Sequence, residues 1–528
     1  MKRLIMKRSQ KPFLVLLLCG LVQTHALDLN EAVTQTLENN PTIKERLKNF
    51  NAVREDVNYA DGAYLPTLNI SMGVGSAKAK SAGADDVIDP KQLDVSKRSI
   101  DLVYNIFNGY KDHYTSKQQM SRLQSAAYSY VEKANQTLLN LIQEYINIAR
   151  HKELILVEQD NIKMDEKIYD DMLGKQRQGL QRLSDLKEAR SKLALAYTNH
   201  LSEENNVQDT LVSLHKYLGR YVRLEEIKAP AFDEQLPNSI EEITKISLET
   251  NPSIKVAVFE RQASMNEYKA SRSAYLPKVN LEVTDSITTN ISGIEGDSTN
   301  FSTMVVLSYN LYNGSSDKSM AQKKVSQMHM KDQELHKIKR DVIEKVQLAW
   351  NAFRITSKQS VFIRWYVQSS KDKLNSYYKE FNVGRRSLID LLGASDDYNN
   401  ARRKMINTKY DLMYSRFRLL ESMGDLSGAL KLDIKAKVGL SLDTNNEPKQ
   451  DSDILVADRD KDNILDDHDI CNNSVIEGNV TSEISHYGCD GYMKSNNSGF
   501  KALESFLNES IKTFVKESRK KDEIEGWE

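Results

Sequence analysis

The chain has 528 residues, of which 28% are charged and 40% hydrophobic, with a net charge of −1. That length carries a large core or several domains, and the charge balance gives no argument for a nucleic-acid partner. Glycine and proline are sparse, at 22 and 9, which together with abundant Gln, Lys, Glu, Leu and Ala favours long helices.

Lys2, Arg3, Lys7, Arg8 and Lys11 precede an apolar run from Phe13 to Val22. Thr24-His25-Ala26 then offers the small residues of a signal-peptidase cut. The run is too short to span a bilayer, so residues 1–26 read as a secretory signal and not as an anchor. Leu18 is bulky where a lipoprotein cut before Cys19 wants a small residue. Cleavage after Ala26 removes five basic residues and no acidic ones, and brings the net charge to −6. It also leaves two cysteines, Cys471 and Cys489, an even pair that suggests one disulfide in an exported chain. No later apolar run is long enough for a transmembrane helix. The exported chain is therefore either soluble or crosses a membrane as β-strands.

The mature chain spells its motifs twice. LENNPTIK (37–44) returns as LETNPSIK (248–255), and AYLP (63–66) returns at 274–277, both 211 residues on. YNIFNG (104–109) returns as YNLYNG (309–314), and GLQRLSDL (179–186) as GRRSLIDL (384–391), both 205 residues on. One surface loop absorbs the six-residue difference. Repeat one is placed at 27–236, repeat two at 237–430, and a C-terminal extension at 431–528.

Pro66 and Pro277 lack an N–H and push the residue before them out of helical geometry, so AYLP ends a helix where a strand begins. Tyr64 and Tyr275 suit a boundary between polar and apolar surroundings. After AYLP, Leu68, Ile70, Met72 and Val74 alternate with polar or small residues, as do Ile100, Leu102, Tyr104 and Ile106. Val279, Leu281 and Val283 open the matching pattern of the second copy, and Phe301, Val305, Leu307, Tyr309 and Leu311 share one parity. Each copy thus holds one half-buried β-hairpin, with polar loops at about 76–96 and 290–300.

A long helical pattern without proline follows each hairpin, over 111–173 and 316–382. Ala134, Leu138, Leu141, Tyr145 and Ile148 step by 4, 3, 4, 3, and Val342, Val346, Ala349 and Phe353 by 4, 3, 4. Such stripes pack helices side by side as in coiled coils. Gly179 and Gly384 end the long helices, and return helices run over 185–216 and 390–423. Asp185 and Asp390 sit at the return-helix starts, where carboxylates are stabilised by free N–H groups.

Four amphipathic strands and no apolar helix point to an outer-membrane barrel, yet four strands close no usable lumen. Several internally duplicated protomers must therefore each contribute four strands and a sector of helices, so the fold class is mainly α with membrane β: a long α-helical coiled-coil barrel continuing a transmembrane β-barrel. The order of these motifs resembles the TolC family of outer-membrane export channels over about residues 27–430, most specifically in FNVGRRSLIDLLGASDDYNNARR (381–403). LYNGSSDKS (311–319) is most similar to members serving type I secretion.

The resemblance implies a homotrimer with a 12-strand transmembrane β-barrel, four strands per protomer, in the outer membrane of a Gram-negative bacterium, and a helical tunnel through the periplasm. It also implies a periplasmic adaptor and an inner-membrane transporter at the helical-hairpin tips. The matching contact residues are Gly179, Leu183, Gly384, Ser387 and Leu388. Arg386, Asp185 and Asp390 match the charged residues that close the tunnel entrance. Gly393 replaces an acidic residue found in some relatives, and Phe381 replaces an aromatic that carries a hydroxyl.

Beyond residue 430 the chain turns polar and acidic. In DRDKDNILDDHD (458–469), Asp458, Asp460, Asp462, Asp466 and Asp469 take loop positions 1, 3, 5, 9 and 12, with the Ile464 carbonyl at 7. That alternation suits calcium, although Asp replaces Glu at position 12 and Asn463 replaces the usual Gly. A solvated acidic linker is the plainer reading. With YGC at 487–489, the stretch resembles the thrombospondin type 3-like repeat, which implies bound calcium, a Cys471–Cys489 pair and a nearby peptidoglycan contact. Leu503, Leu507, Ile511 and Val515 then mark a short amphipathic helix.

The histidines show no His-Glu-x-x-His spacing, and there is no Gly-x-Ser-x-Gly or phosphate loop, so no enzyme is expected. The expectation is a passive outer-membrane conduit driven by partners. The alternative is a coiled-coil tether anchored in the outer membrane and binding the cell wall.

Overall fold

Asn40 and Asn251 start the same helix in the two copies. Each side chain accepts from the N–H two residues on, at 2.9 Å, and each precedes a proline at the first helical position. Each amide also donates to the end of its copy's return helix, Asn40 to the Tyr217 carbonyl at 3.3 Å and Asn251 to the Ser422 carbonyl at 3.0 Å. The repeated N-P is therefore both a cap and a clasp. The clasp is tight: a Cβ on Gly424 would lie 2.7 Å from Pro252 Cδ, and its φ of +79° already favours glycine.

The computed structural model describes residues 27–78, 92–232, 234–291 and 295–440. Copy one runs α1 (Leu29–Asn39), α2 (Pro41–Asp61), β1 (Thr67–Lys78), β2 (Gln92–Asn108), α3 (Lys111–Arg177) and α4 (Leu183–Leu218). Copy two repeats the order with α5 (Ile240–Thr250), α6 (Pro252–Ser271), β3 (Lys278–Thr289), β4 (Asp297–Ser308), α7 (Ser316–Asn382) and α8 (Leu388–Met423). The long helices α3 and α7 have 67 residues each, about 100 Å at 1.5 Å per residue. The return helices begin two residues before Asp185 and Asp390.

A one-turn 3-10 segment carries Tyr64 or Tyr275, and Pro66 or Pro277 is the last residue before its strand. Leu65 and Leu276, each before a proline, have ψ of 152° and 151°, the extended backbone that proline imposes. Beyond the second strand, Asn108 and Asn313 each donate to an aspartate four residues on, Asp112 and Asp317, at 3.2 Å. These bonds explain the repeated Asn-Gly: they fasten the sharp turn into the long helix.

The four strands form one antiparallel sheet in the order β1-β2-β3-β4. Its register puts Leu68, Leu102, Val283 and Thr303 in one row, and Ile70, Ile100, Asp285 and Phe301 in the next row on the same face. The other face carries Asn69, Asp101, Thr284 and Ser302. The strands outrun the apolar alternation, because β2 and β4 begin at Gln92 and Asp297, inside the expected loops. Backbone pairing continues there regardless of side-chain polarity.

The apolar stripe of α3 is fully buried: Ala134, Leu138, Leu141, Tyr145 and Ile148 are each 0% exposed. Helix α3 is central, packing against α2, α4, α6 and α8, while α7 packs on α5, α6 and α8. Ile434 and Val438 join this main core, so the packed unit continues past residue 430. A second cluster near the tips joins Ile168 and Met172 of α3 to Leu374 and Phe381 of α7 and to Leu388, Leu391 and Leu392 of α8. No helix among the described residues is long and apolar enough to cross a membrane.

Candidate functional site

The two helical-hairpin tips share one turn. Gly179 and Gly384 both have φ of +73°. The Gly179 N–H donates to the Gln176 carbonyl and that of Leu180 to Lys175. Likewise Gly384 donates to Phe381, and Arg385 to Glu380. This is a glycine helix stop of the Schellman kind, which needs the left-handed residue.

The tips then diverge. Ser387 caps α8: its hydroxyl accepts from the Asp390 N–H at 3.2 Å and donates to the Asp390 carboxylate at 2.7 Å. Arg182 stands at the matching place in copy one with no side-chain cap, and Asp185 instead accepts from Gln181 Nε2 at 2.5 Å. Asp390 thus works in the cap of its own helix.

Arg386 meets neither Asp185 nor Asp390 directly within the protomer. Its Nε donates to Glu380 at 2.9 Å, its Nη2 lies 2.8 Å from the same carboxylate oxygen, and its guanidinium lies 4.1 Å over the Tyr377 ring. The bond to Glu380, then the charges of Glu380 and Asp390, raise the Arg386 pKa. Lys175 occupies the place in copy one that Glu380 occupies in copy two, and its ammonium lies 4.2 Å over Phe381. Phe381, without a hydroxyl, is buried in the tip cluster. Polar links between the copies come from Tyr378, which donates to Asp171 at 3.1 Å, and from Lys192, which reaches Asp396 at 2.7 Å.

Of the expected contact residues, Leu183 is exposed but Leu388 is only 4% exposed, packed in the tip cluster. Ile389, beside it, is 73% exposed, and Leu180 and Val383 are exposed as well. The calcium-type loop from Asp458 to Asp469, Cys471 and Cys489 lie outside the described residues.

Farther along the helices, a charged seam fastens α3 to α8. Arg150 pairs with Asp411 at 2.6 Å, Lys409 with Glu153 at 2.5 Å, and Arg402 with Asp160 at 2.9 Å. At its centre Arg403 pairs with Glu158, which is 0% exposed, and with Glu203 of α4 at 2.9 Å. His151 Nδ1 lies 2.9 Å from the other Glu203 oxygen, and this bond is the main reason that the Glu203 pKa is lowered. Two turns of α3 beyond Glu158, toward the tips, Asp165 is buried near the Lys192–Asp396 pair. Burial first, then the charge of Asp396, push its pKa up to about 6.

A sheet with one apolar and one polar face, continuous with a sheath of long helices, is the layout of an outer-membrane channel protomer. A family model described as outer membrane efflux protein matches residues 32–220 and 244–425, which is both copies. The chain belongs to that family. Outer membrane protein TolC of Escherichia coli (strain K12) is 21% identical over 439 residues, covering 80% of this chain and 87% of TolC. Proteases secretion protein PrtF of Dickeya chrysanthemi is 19% identical over 449 residues, covering 80% of this chain and 95% of PrtF. The solved Campylobacter jejuni CmeC outer membrane channel shares the fold, with a TM-score of 0.67 at 17% identity over 78% of this chain and 89% of that one. The protein is thus an outer-membrane efflux and secretion channel of the TolC type. The tether alternative finds no support among these relatives.

Sequence reasoning missed Glu380, Tyr377 and the Arg403 seam. The signal for the tip was available: Glu380 and Arg386 both stand where copy one differs, with Lys175 and Gln181.

Proposed function

We propose that three copies of this chain close into one conduit, with a 12-strand barrel in the outer membrane and a helical tunnel below it. The open sheet carries this reading: among the described residues, β1 and β4 are edges without a partner strand. Unpaired backbone groups inside a bilayer are too costly to persist, so β4 of one copy pairs with β1 of the next. The strands are long enough, since 12 residues reach about 40 Å at 3.3 Å each. The helices support the same closure. Helix α7 buries ten residues where the equally long α3 buries 26, and it exposes Phe362 and Trp365 along its flank.

The tips meet a periplasmic adaptor that works with an inner-membrane transporter. Gly179 and Gly384 hold the turns, Leu183 and Ser387 lie on the contact surface, and Leu388 braces it from beneath. Arg386, Asp185 and Asp390 gate the entrance once neighbouring protomers bring them together. The channel has no catalysis of its own, and its cargo, protein or small molecule, is set by the transporter. In the extension, Asp458, Asp460, Asp462, the Ile464 carbonyl, Asp466 and Asp469 bind calcium beside a Cys471–Cys489 disulfide, and the tail touches peptidoglycan. Terbium luminescence on the full chain tests the calcium site.

The deciding experiment is native mass measurement of the detergent-extracted protein, joined to planar-bilayer recording. A trimer that forms discrete pores is expected. A monomer or dimer without conductance overturns the reading.

A further inference from the structure

A small polar recess lies where the two copies meet, at the level of the clasp between Asn251 and Ser422. Glu132 and Asn135 of α3, Ser253 of α6, Lys345 of α7 and Glu421 of α8 line it, and its volume is ≈ 20 Å³. Asn135 is 2% exposed, and neither its amide nitrogen nor its carbonyl oxygen has a hydrogen-bond partner among the described residues. An amide that could donate twice and accept twice is costly to bury with both atoms unpaired. Such groups in native interiors are almost always satisfied, by protein or by ordered water.

The neighbours decide what satisfies it. The Glu132 carboxylate already accepts from the Ser253 hydroxyl at 2.6 Å. Glu421 is mostly buried; burial raises its pKa, Glu132 adds to the rise, and Lys345 and Arg418 oppose it. Lys345 at the recess and Arg418 beside it supply two positive charges against its two carboxylates, so no metal ion is needed to balance them. The size is equally restrictive. One water needs roughly 10–15 Å³ of such space, so the recess admits one water and no organic molecule or hydrated ion.

We propose that this recess is a built-in site for a single ordered water, which bonds the Asn135 amide to the carboxylates of α3 and α8. The water then ties copy one, through α3, to α8 of copy two at the point where Asn251 is clasped. It is a further fastening between the duplicated halves, separate from the charged seam.

A density map of the wild-type protein, at a resolution that shows waters elsewhere in the core, tests the site directly. The expected result is one peak within about 3.2 Å of an Asn135 side-chain atom and of a carboxylate oxygen. An empty recess overturns the proposal, as does a peak with several oxygens at about 2.4 Å, the distance of a metal cation. The thermal midpoint of Asn135→Leu is the second reading. With the water present the substitution removes satisfied bonds and the midpoint falls. If the recess is dry, leucine relieves two unpaired atoms and the midpoint holds or rises, which also overturns the proposal.

Discussion

Arg386 donates from Nε to Glu380 at 2.9 Å, with Nη2 2.8 Å from the same carboxylate oxygen, and so spends its charge inside its own tip. Tyr377 holds the other face of the guanidinium. Any contact from Arg386 to Asp185 or Asp390 of a neighbouring protomer must compete with this arrangement. In the proposed gate, Glu380 is therefore a competitor of Asp185 and Asp390 for Arg386.

Glu380→Gln removes the competing charge and frees Arg386 for the entrance carboxylates. The expected outcome is a lower single-channel conductance in planar bilayers. Arg386→Ala is expected to raise conductance several-fold. If Glu380→Gln conducts like the wild type, Arg386 is not shared between these partners.

The buried seam gives a stability prediction. Arg403 is the cation that Glu158 and Glu203 share at the centre of α3, α4 and α8. Arg403→Met leaves two buried carboxylates without it, at a cost of about 3–5 kcal/mol. The thermal midpoint of the purified protein should fall markedly. The further change Glu158→Leu should recover part of the loss, because it removes one stranded charge. A single variant that melts with the wild type shows that the seam contributes nothing net.

Asp165 makes the same wall sensitive to pH. Its pKa is raised to about 6, mainly by burial, above the ordinary carboxylate value near 4. Between those values the folded state binds the proton more tightly than the unfolded chain does. Stability therefore falls as pH rises from about 4 to about 6, and the loss persists above that window. Asp165→Asn should stabilise the protein at pH 7.5 by about 2 kcal/mol, read as a higher thermal midpoint, and leave pH 4.5 nearly unchanged. An equal shift at both values would assign the effect to packing instead.

Much of the fold is legible in the sequence because it rests on local demands. Pro66 and Pro277 force the extended residue before them, Asn40 and Asn251 cap their helices, and Gly179 and Gly384 supply the left-handed turn. The stripe through Leu138 and Tyr145 is buried because its period matches that of the helix. The tip network is not local. That Lys175 lies over Phe381, more than 200 residues away, depends on how two hairpins of different copies pack. Glu158 is hidden for another reason: the periodicity that finds α3 assigns its inner face to apolar residues, and a buried charge breaks that rule. Leu388 and Ile389 are adjacent leucine-like residues, and only the phase of α8 decides which is buried and which is free.

The sheet makes the last prediction. On its polar face, Asp101 accepts from Ser99 at 2.8 Å and from Thr284 at 2.9 Å, and Ser99 is bonded in turn to Ser71 at 2.8 Å. This chain of bonds crosses three strands and holds the carboxylate on the face that a closed barrel turns inward. Glu282 shares that face two residues from Thr284, while Lys97 and Lys278 lie toward the strand ends. With three copies the middle of the lumen carries six carboxylates, and a narrow pathway lined by one sign of charge concentrates the opposite ion. The wild-type channel should therefore prefer cations in a salt gradient. Asp101→Asn combined with Glu282→Gln should move the reversal potential toward zero, with the effect strongest at low ionic strength, where screening is weakest. A preference that survives both changes places the selective charge at the tips, with Asp185 and Asp390, and not in the barrel.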